Sequence, residues 1–442
     1  MSLHVSRSPG KTSPRPQHLI SLTGLRGILA LLVFGAHFYL AFVMAGGEFD
    51  SHVMQEIFWI LFSRGGGVAV SCFFLLSGFV LTFIARPDDR TRSFYMRRVA
   101  KIYPVHLVTM AVAFALVAVR YEVPGSKVTL SHLFLVQNWV PSQWYYMTMT
   151  GLDWSLSCEV FFYLCFPALL LLLRQARTWV LHTLPVVLTA LVFGLPYVVI
   201  HTFSITHPDP MEMVPTGDHG GPIGYWFAYV FPPMRMAEFV IGMCVALLVR
   251  RGLWRGPGVT LSLLLCVLGW WGTLAAGSYL PLAATMVVPF MLLIAALAEA
   301  DRNNGWSPLR WGPLVWFGEI SLSFYVSHLL VQEEMFSRLW SAGQDAGWFP
   351  SPLPVLSWWV GLLSFLGQFV LAVTVAWLLY RLVELPLVRK LRPRDVPRLP
   401  LTAAAPHEEA EHRKATAAAA GDRAESSGPA DAESHLRDTA GR

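Results

Sequence analysis

The chain has 442 residues, 55% of them hydrophobic and only 14% charged, with a mean hydropathy of +0.50 and a formal net charge of +5. A soluble domain carries about a quarter charged residues, so this balance excludes an ordinary soluble enzyme and points to an all-α, polytopic membrane protein. The five cysteines (Cys72, Cys158, Cys165, Cys244, Cys266) all fall in apolar stretches without metal-type spacing, which argues against a disulfide framework and against a metal site.

The first 18 residues hold Arg7, Lys11 and Arg15 with three prolines and read as a cytoplasmic N-terminal segment. No small-residue cleavage site follows a short apolar core, so the first apolar stretch reads as a retained helix. Hydropathy then marks about ten spans, at 19–44, 57–84, 99–120, 154–174, 178–200, 223–249, 257–276, 279–299, 311–337 and 354–384. Most reach the ~20 residues needed to cross a bilayer. The stretch 130–140 is too short to cross and, with Trp139, Trp144, Tyr145 and Tyr146 beside it, reads as interfacial or re-entrant. The membrane domain therefore covers 19–396. Residues 397–442 lack aromatics and are rich in Ala, Glu, Arg, Ser and Gly, the composition of a disordered cytoplasmic tail.

Loop charges test that count. Basic residues gather in the N-terminal segment, in the second loop (Arg86, Arg90, Arg92, Arg97, Arg98, Lys101), the fourth (Arg174, Arg177), the sixth (Arg250, Arg251, Arg255), the eighth (Arg302, Arg310) and after the last span (Arg389, Lys390, Arg392, Arg394, Arg398). The intervening loops are poor in them. This alternation orients both termini to the cytoplasm and implies a multi-pass protein of the cell membrane.

The polar residues inside the spans ask for a reason, because each is costly in lipid. Arg26 and His37 are eleven residues apart in the first span, so on a helix they share a face and lie ~16 Å apart along the axis. Arg26 also fits a snorkelling anchor, and His37 a histidine bonding across helices. In the second span Ser77-Gly78 fits close helix packing or a pocket wall. Arg98 and Lys101 point together at the start of the third span, where they suit phosphate groups or simply obey the charge rule. The fourth span opens Asp153-Trp154-Ser155-Leu156-Ser157-Cys158-Glu159, with Glu159 about one turn in. Arg235 and Glu238, three apart in the sixth span, fit a self-neutralising pair. Tyr325 and His328 share a face of the ninth. A proton-coupled transporter or exporter could use such a set; so could an enzyme with an anionic donor. No repeat of one half in the other favours the transporter.

Several of these motifs together resemble the membrane acyltransferase-3 family, over roughly residues 19–390. They are the arginine and histidine of the first helix (Arg26, His37), the Phe-Phe-x-x-Ser-Gly-Phe stretch (Phe73–Phe79), a basic pair followed by Ile-x-Pro (Arg98, Lys101, Ile102, Pro104) and Trp-x-Leu-x-x-Glu (Trp154, Leu156, Glu159). To these are added Arg-x-x-Glu-Phe with a following glycine (Arg235, Glu238, Phe239, Gly242), Ser-x-x-x-Tyr-x-x-His (Ser321, Tyr325, His328) and a terminal Glu-x-Pro (Glu384, Pro386). One departure stands out: the second basic residue of the pair is Lys101 rather than arginine, which keeps the charge and loses bidentate geometry.

The resemblance implies an integral-membrane O-acyltransferase that moves an acyl group from cytoplasmic acyl-CoA, acetyl-CoA first among candidates, to a hydroxyl. The expected acceptor is a sugar, on a glycosylated secondary metabolite such as a macrolide or on a cell-surface glycan. No bound cofactor is expected; the partners are the donor, the sugar-containing acceptor and membrane lipid, with no nucleic acid. A neutral imidazole is the natural base for hydroxyl attack on a thioester, which assigns His37 as catalytic base and Glu159 as its orienting or acceptor-orienting partner. Arg26, Arg98, Lys101 and Ser77 form the expected donor site. Trp154, Arg235, Glu238, Tyr325 and His328 form the expected acceptor pocket.

Overall fold

The computed structural model describes residues 19–391 apart from 45–46, 87–88, 121–123, 204–220, 276–283, 337–340, 343, 347–354 and 356. The N-terminal segment 1–18 and the tail 397–442, expected to be disordered, lie outside the described residues. The described residues are mostly helical, and no β-strand is found among them. α1 (Ile20–Met44) leads to α2 (His52–Phe62), α3 (Gly65–Ile84), α4 (Thr91–Arg120), α5 (Ser126–Leu133), α6 (Gln143–Met147), α7 (Asp153–Gln175) and α8 (Thr178–Phe203). Then come α9 (Gly221–Tyr225), α10 (Pro232–Arg250), α11 (Val259–Ala275), α12 (Ala284–Arg302), α13 (Gly312–Glu319), α14 (Ser321–Leu330), α15 (Trp358–Leu379) and α16 (Leu385–Leu391). A π-helical turn, Tyr380–Glu384, joins α15 to α16.

Eight of these helical runs are long and apolar enough to cross a membrane, and a ninth is formed if α13 and α14 count as one span. The count of about ten is reached only with α11, which at 17 residues is shorter than the rest. The ninth span departs most from expectation. It is not one helix over 311–337 but two, bent by 70° at Ile320. The bend lets α13 lie against α1. There Gly24 and Gly318 bring the helix backbones so close that a Cβ on Gly318 would overlap the Thr23 carbonyl, and one on Gly24 that of Leu309.

α10 is the centre of the bundle: nearly all of its residues are buried, whereas α8 lies at the periphery and is largely exposed. It packs on α3, α7, α8 and α12. Lipid tails are as apolar as leucine, so helices associate in a membrane through close packing rather than through burial of apolar area from water. Gly78 and Gly242 supply it. A Cβ on Gly78 would overlap the Phe239 carbonyl, and one on Gly242 the Leu75 carbonyl, so each glycine accepts the other helix's backbone.

The basic loop residues do more than set orientation. Arg250 donates to the Thr82 and Ala85 carbonyls (2.9 and 2.8 Å), Arg174 to Ala85 (3.1 Å), Arg251 to Arg174 (2.9 Å) and Arg302 to Val249 (2.8 Å). These are the orphan carbonyls at the C-terminal ends of α3, α7 and α10, the place where cations oppose the helix dipole. Asp301 at the end of α12 accepts from Ser21 N and Oγ (2.9 and 2.7 Å) and from Arg310 (2.9 Å), which ties the start of α1 to the same end. The basic loops thus meet at one end of the bundle, as the charge alternation requires.

Candidate active site

A cavity opens between α1, α3, α4, α7 and α14. Its polar lining is Arg26 from α1, Ser77 from α3, Arg98 and Lys101 from α4, Ser155, Glu159 and Tyr163 from α7, and Ser321 and Tyr325 from α14. Six residues expected in the site therefore converge: Arg26, Ser77, Arg98, Lys101, Glu159 and Tyr325. Arg26 is near the start of α1, and Arg98 and Lys101 near the start of α4, so the cationic side of the cavity faces the end of the bundle where the basic loops gather.

Helical spacing explains the α7 wall. Ser155, Glu159 and Tyr163 recur every four residues and so form one stripe. The Tyr163 hydroxyl donates to Glu159 Oε2 at 2.9 Å, and Ser77 lines the same cavity. Arg26, Arg98 and Lys101 all act electrostatically on Glu159. Arg98 is held between the rings of Phe94 and Tyr163, each centroid 5.8 Å from its guanidinium carbon. Its Nε is buried without a partner among the described residues. Lys101 differs: its ammonium is paired with Glu384, whose other oxygen accepts from Ser323 Oγ at 2.6 Å.

Tyr325 closes the far side. Ser155 Oγ donates to the Tyr325 hydroxyl at 2.7 Å. Beyond this contact, with its ring centroid 6.1 Å from that of Tyr325, lies His328. His37 and His328 do not line the cavity; they pair with each other. Nδ1 of His37 is 2.9 Å from the Val33 carbonyl oxygen, and Nδ1 of His328 is 2.9 Å from that of Tyr325. A carbonyl oxygen only accepts, so in each neutral ring Nδ1 carries the proton. Nε2 of His328 then holds a lone pair, 3.2 Å from His37 Nδ1. The His37 N–H is shared between this lone pair and Val33, and Nε2 of His37 is left as an unprotonated nitrogen with no hydrogen-bond partner among the described residues. Phe34 and Phe324 flank His328, with ring centroids at 6.2 and 5.5 Å.

Three expected pocket residues lie elsewhere. Arg235 and Glu238 form a buried ion pair (3.0 Å) beneath α3, where Arg235 also donates to Ser71 Oγ (2.6 Å) and lies over the Phe74 and Tyr229 rings. Trp154 is buried against Tyr229, ring centroids 4.9 Å apart. The motif residues Arg235, Glu238 and Trp154 thus hold α10 and α7 in place behind the cavity wall. Sequence reasoning missed Tyr163, Ser155 and Ser323. Tyr163 carried a signal in its i,i+4 spacing from Glu159; Ser323 and the partner role of Glu384 carried none, because they meet only through the fold. A second buried pair also escaped notice: His132 Nδ1 and Asp153 Oδ2 are 2.6 Å apart. Together with Asn138 Nδ2 donating to the Trp154 carbonyl (2.7 Å), it straps the short α5 segment to the start of α7.

A helical bundle with membrane-length spans around a cationic cavity defines a multi-pass membrane protein with an interior site. The comparisons with known proteins give the class. The family model for the acyltransferase domain matches residues 19–381. The chain is 36% identical over 393 residues to "Acyltransferase MdmB" of Streptomyces mycarofaciens, an alignment covering 86% of this chain and 94% of that protein. No solved structure matches. The chain belongs to the membrane acyltransferase-3 family and is an acyltransferase.

Proposed function

We propose that the protein is an O-acyltransferase of the cell membrane that takes acyl-CoA in the α1/α3/α4/α7/α14 cavity and transfers the acyl group to a sugar hydroxyl. The observation that carries this reading is the arrangement of Arg26 and Arg98 at one side of the cavity with the His37–His328 pair just beyond the other. Guanidinium groups suit the pyrophosphate and 3′-phosphate of CoA. From the cationic mouth, the pantetheine arm runs past Ser77, Tyr163 and Glu159 along the direction of α1, whose Arg26-to-His37 rise is ~16 Å. The Tyr325 ring turns away from Ser155 to admit the thioester.

The acceptor hydroxyl attacks the thioester carbonyl carbon as His37 Nε2 takes its proton. The C–S bond breaks, and the proton passes from the imidazolium to the departing CoA thiolate. The positive charge that develops on His37 is shared, through Nδ1–H, with the Val33 carbonyl and with His328 Nε2. General-base assistance of this kind is worth about 10²–10⁴-fold in rate. Glu159, held by Tyr163, orients the acceptor or the imidazole. The acceptor sugar belongs either to a glycosylated metabolite such as a macrolide or to a surface glycan.

The test uses purified protein in lipid nanodiscs with labelled acetyl-CoA and a panel of glycosylated acceptors. Arg26→Met and Arg98→Met raise the KM for donor. His37→Ala removes transfer while CoA binding persists. Transfer unaffected by His37→Ala overturns the base assignment, and failure to bind any acyl-CoA overturns the donor assignment.

A further inference from the structure

Lys101 and Glu384 are 283 residues apart in sequence, yet they form an ion pair at the cavity edge. The two partners are not equivalent. The Lys101 side chain is 31% exposed, whereas Glu384 is 1% exposed. Glu384 sits at the end of the π-helical turn before α16, with one oxygen on Lys101 and the other on Ser323. Ser323 is in α14, two residues from both Ser321 and Tyr325, which line the cavity. One buried carboxylate therefore ties three distant parts of the chain together: the cationic start of α4, the cavity wall of α14 and the C-terminal helix α16.

Electrostatics assigns the parts. A buried carboxylate stripped of its cation is strongly unfavourable, so Glu384 depends on Lys101. An ammonium at a wet cavity edge tolerates losing its anion. A phosphate competing for Lys101 must also leave Glu384 uncompensated, which removes the gain. Arg26 and Arg98 have no such acidic partner fixed to them among the described ion pairs.

We propose that Lys101 is not a donor ligand but the counter-ion of Glu384, and that Glu384 is a positioning residue which holds α4, α14 and α16 in register and leaves the donor's phosphates to Arg26 and Arg98. Loss of bidentate geometry at position 101 is then without cost, because a single ammonium on a single carboxylate oxygen is all that the pair requires. The inference rests on the donor reading above only for the identity of the anion.

The test is a double-variant cycle on the full-length protein in nanodiscs, with labelled CoA binding and thermal unfolding as separate readouts. Lys101→Met is expected to lower the unfolding temperature and to weaken CoA binding through disorder of the cavity wall. Glu384→Gln, which keeps an acceptor for Ser323 and frees the ammonium, is expected to bind CoA about tenfold more tightly at low salt, an advantage screened away at high salt. Lys101→Met combined with Glu384→Gln is expected to regain both the unfolding temperature and CoA affinity to within about threefold, the signature of residues that act as a unit. A double variant that regains stability but binds CoA as weakly as Lys101→Met overturns the proposal and makes Lys101 a phosphate ligand. Additive losses of stability overturn the pairing itself. If Arg26→Met and Arg98→Met leave CoA binding unchanged, the donor reading fails, while the stability cycle still decides the pairing.

Discussion

His328 places its Nε2 3.2 Å from Nδ1 of His37, joining α14 to α1 across 291 residues of sequence. In the proposed mechanism His328 stands behind the base: its lone pair supports the proton on the inner nitrogen of His37 and leaves the outer nitrogen basic. His328→Leu, which removes that acceptor, is expected to cut kcat by about tenfold or more, in line with the worth of a hydrogen bond to a charged group. His328→Gln returns an acceptor oxygen to the same region and is expected to recover part of the loss. Single-turnover transfer rates at saturating donor check this, and equal rates for wild type and His328→Leu would falsify it.

Tyr325 stands between the cavity and the histidine pair, held by Ser155. Tyr325→Phe removes the hydroxyl and keeps the ring. The expected outcome is a stability loss of about 1 kcal/mol with faster acyl-CoA hydrolysis when acceptor is absent, because the ring now swings freely. Thiol release from acyl-CoA measures the second effect; hydrolysis no faster than wild type would remove Tyr325 as the barrier.

The Arg235–Glu238 pair lies outside the cavity and is fully enclosed. Glu238→Ala leaves a guanidinium buried without its anion and is expected to cost about 3–5 kcal/mol, whereas replacing both residues by apolar side chains of similar volume is expected to cost much less. Unfolding temperatures in detergent distinguish the two. Equal losses would mean that the ion pair itself, and not the stranded guanidinium, accounts for the lost stability.

Gly78→Ala and Gly242→Ala each force a methyl group into the partner helix's backbone. Overpacking of this kind costs about 1–3 kcal/mol, and rigid backbone on the far side puts these variants at the upper end. Lower yield of folded protein by size-exclusion chromatography is the expected result. The same change at Gly194, where no atom lies within 4 Å of the added carbon, serves as the neutral control.

Much of the fold was legible because hydropathy and loop charge are both local. The segments 178–200 and 223–249 fall close to α8 and to the run through α9 and α10, and the basic loops meet at one end as expected. The break at Ile320 was not legible: hydropathy reads 311–337 as one span, whereas α13 packs on α1, where the Thr23 carbonyl meets Gly318. The cavity was legible where members share a helix face or a family motif, as with Arg26, Arg98 and Glu159. The pairings that determine each residue's task, Lys101 with Glu384 and His37 with His328, span nearly the whole chain and have no local signature. His37 and Arg26 show the limit well. They do sit on one helix, but only Arg26 lines the cavity, whereas His37 pairs with His328, which lies next to Tyr325.

The interlocked glycines of α3 and α10 set a further condition on this site. Ser77, which lines the cavity, is the immediate neighbour of Gly78, and Arg235 lies two turns before Gly242 on the facing helix. The spacing of this cavity wall is therefore governed by main chain meeting main chain rather than by the side chains that line it. Attempts to enlarge the cavity will gain little by trimming Ser77 or Leu76 alone: the spacing of the wall belongs to two positions outside its lining.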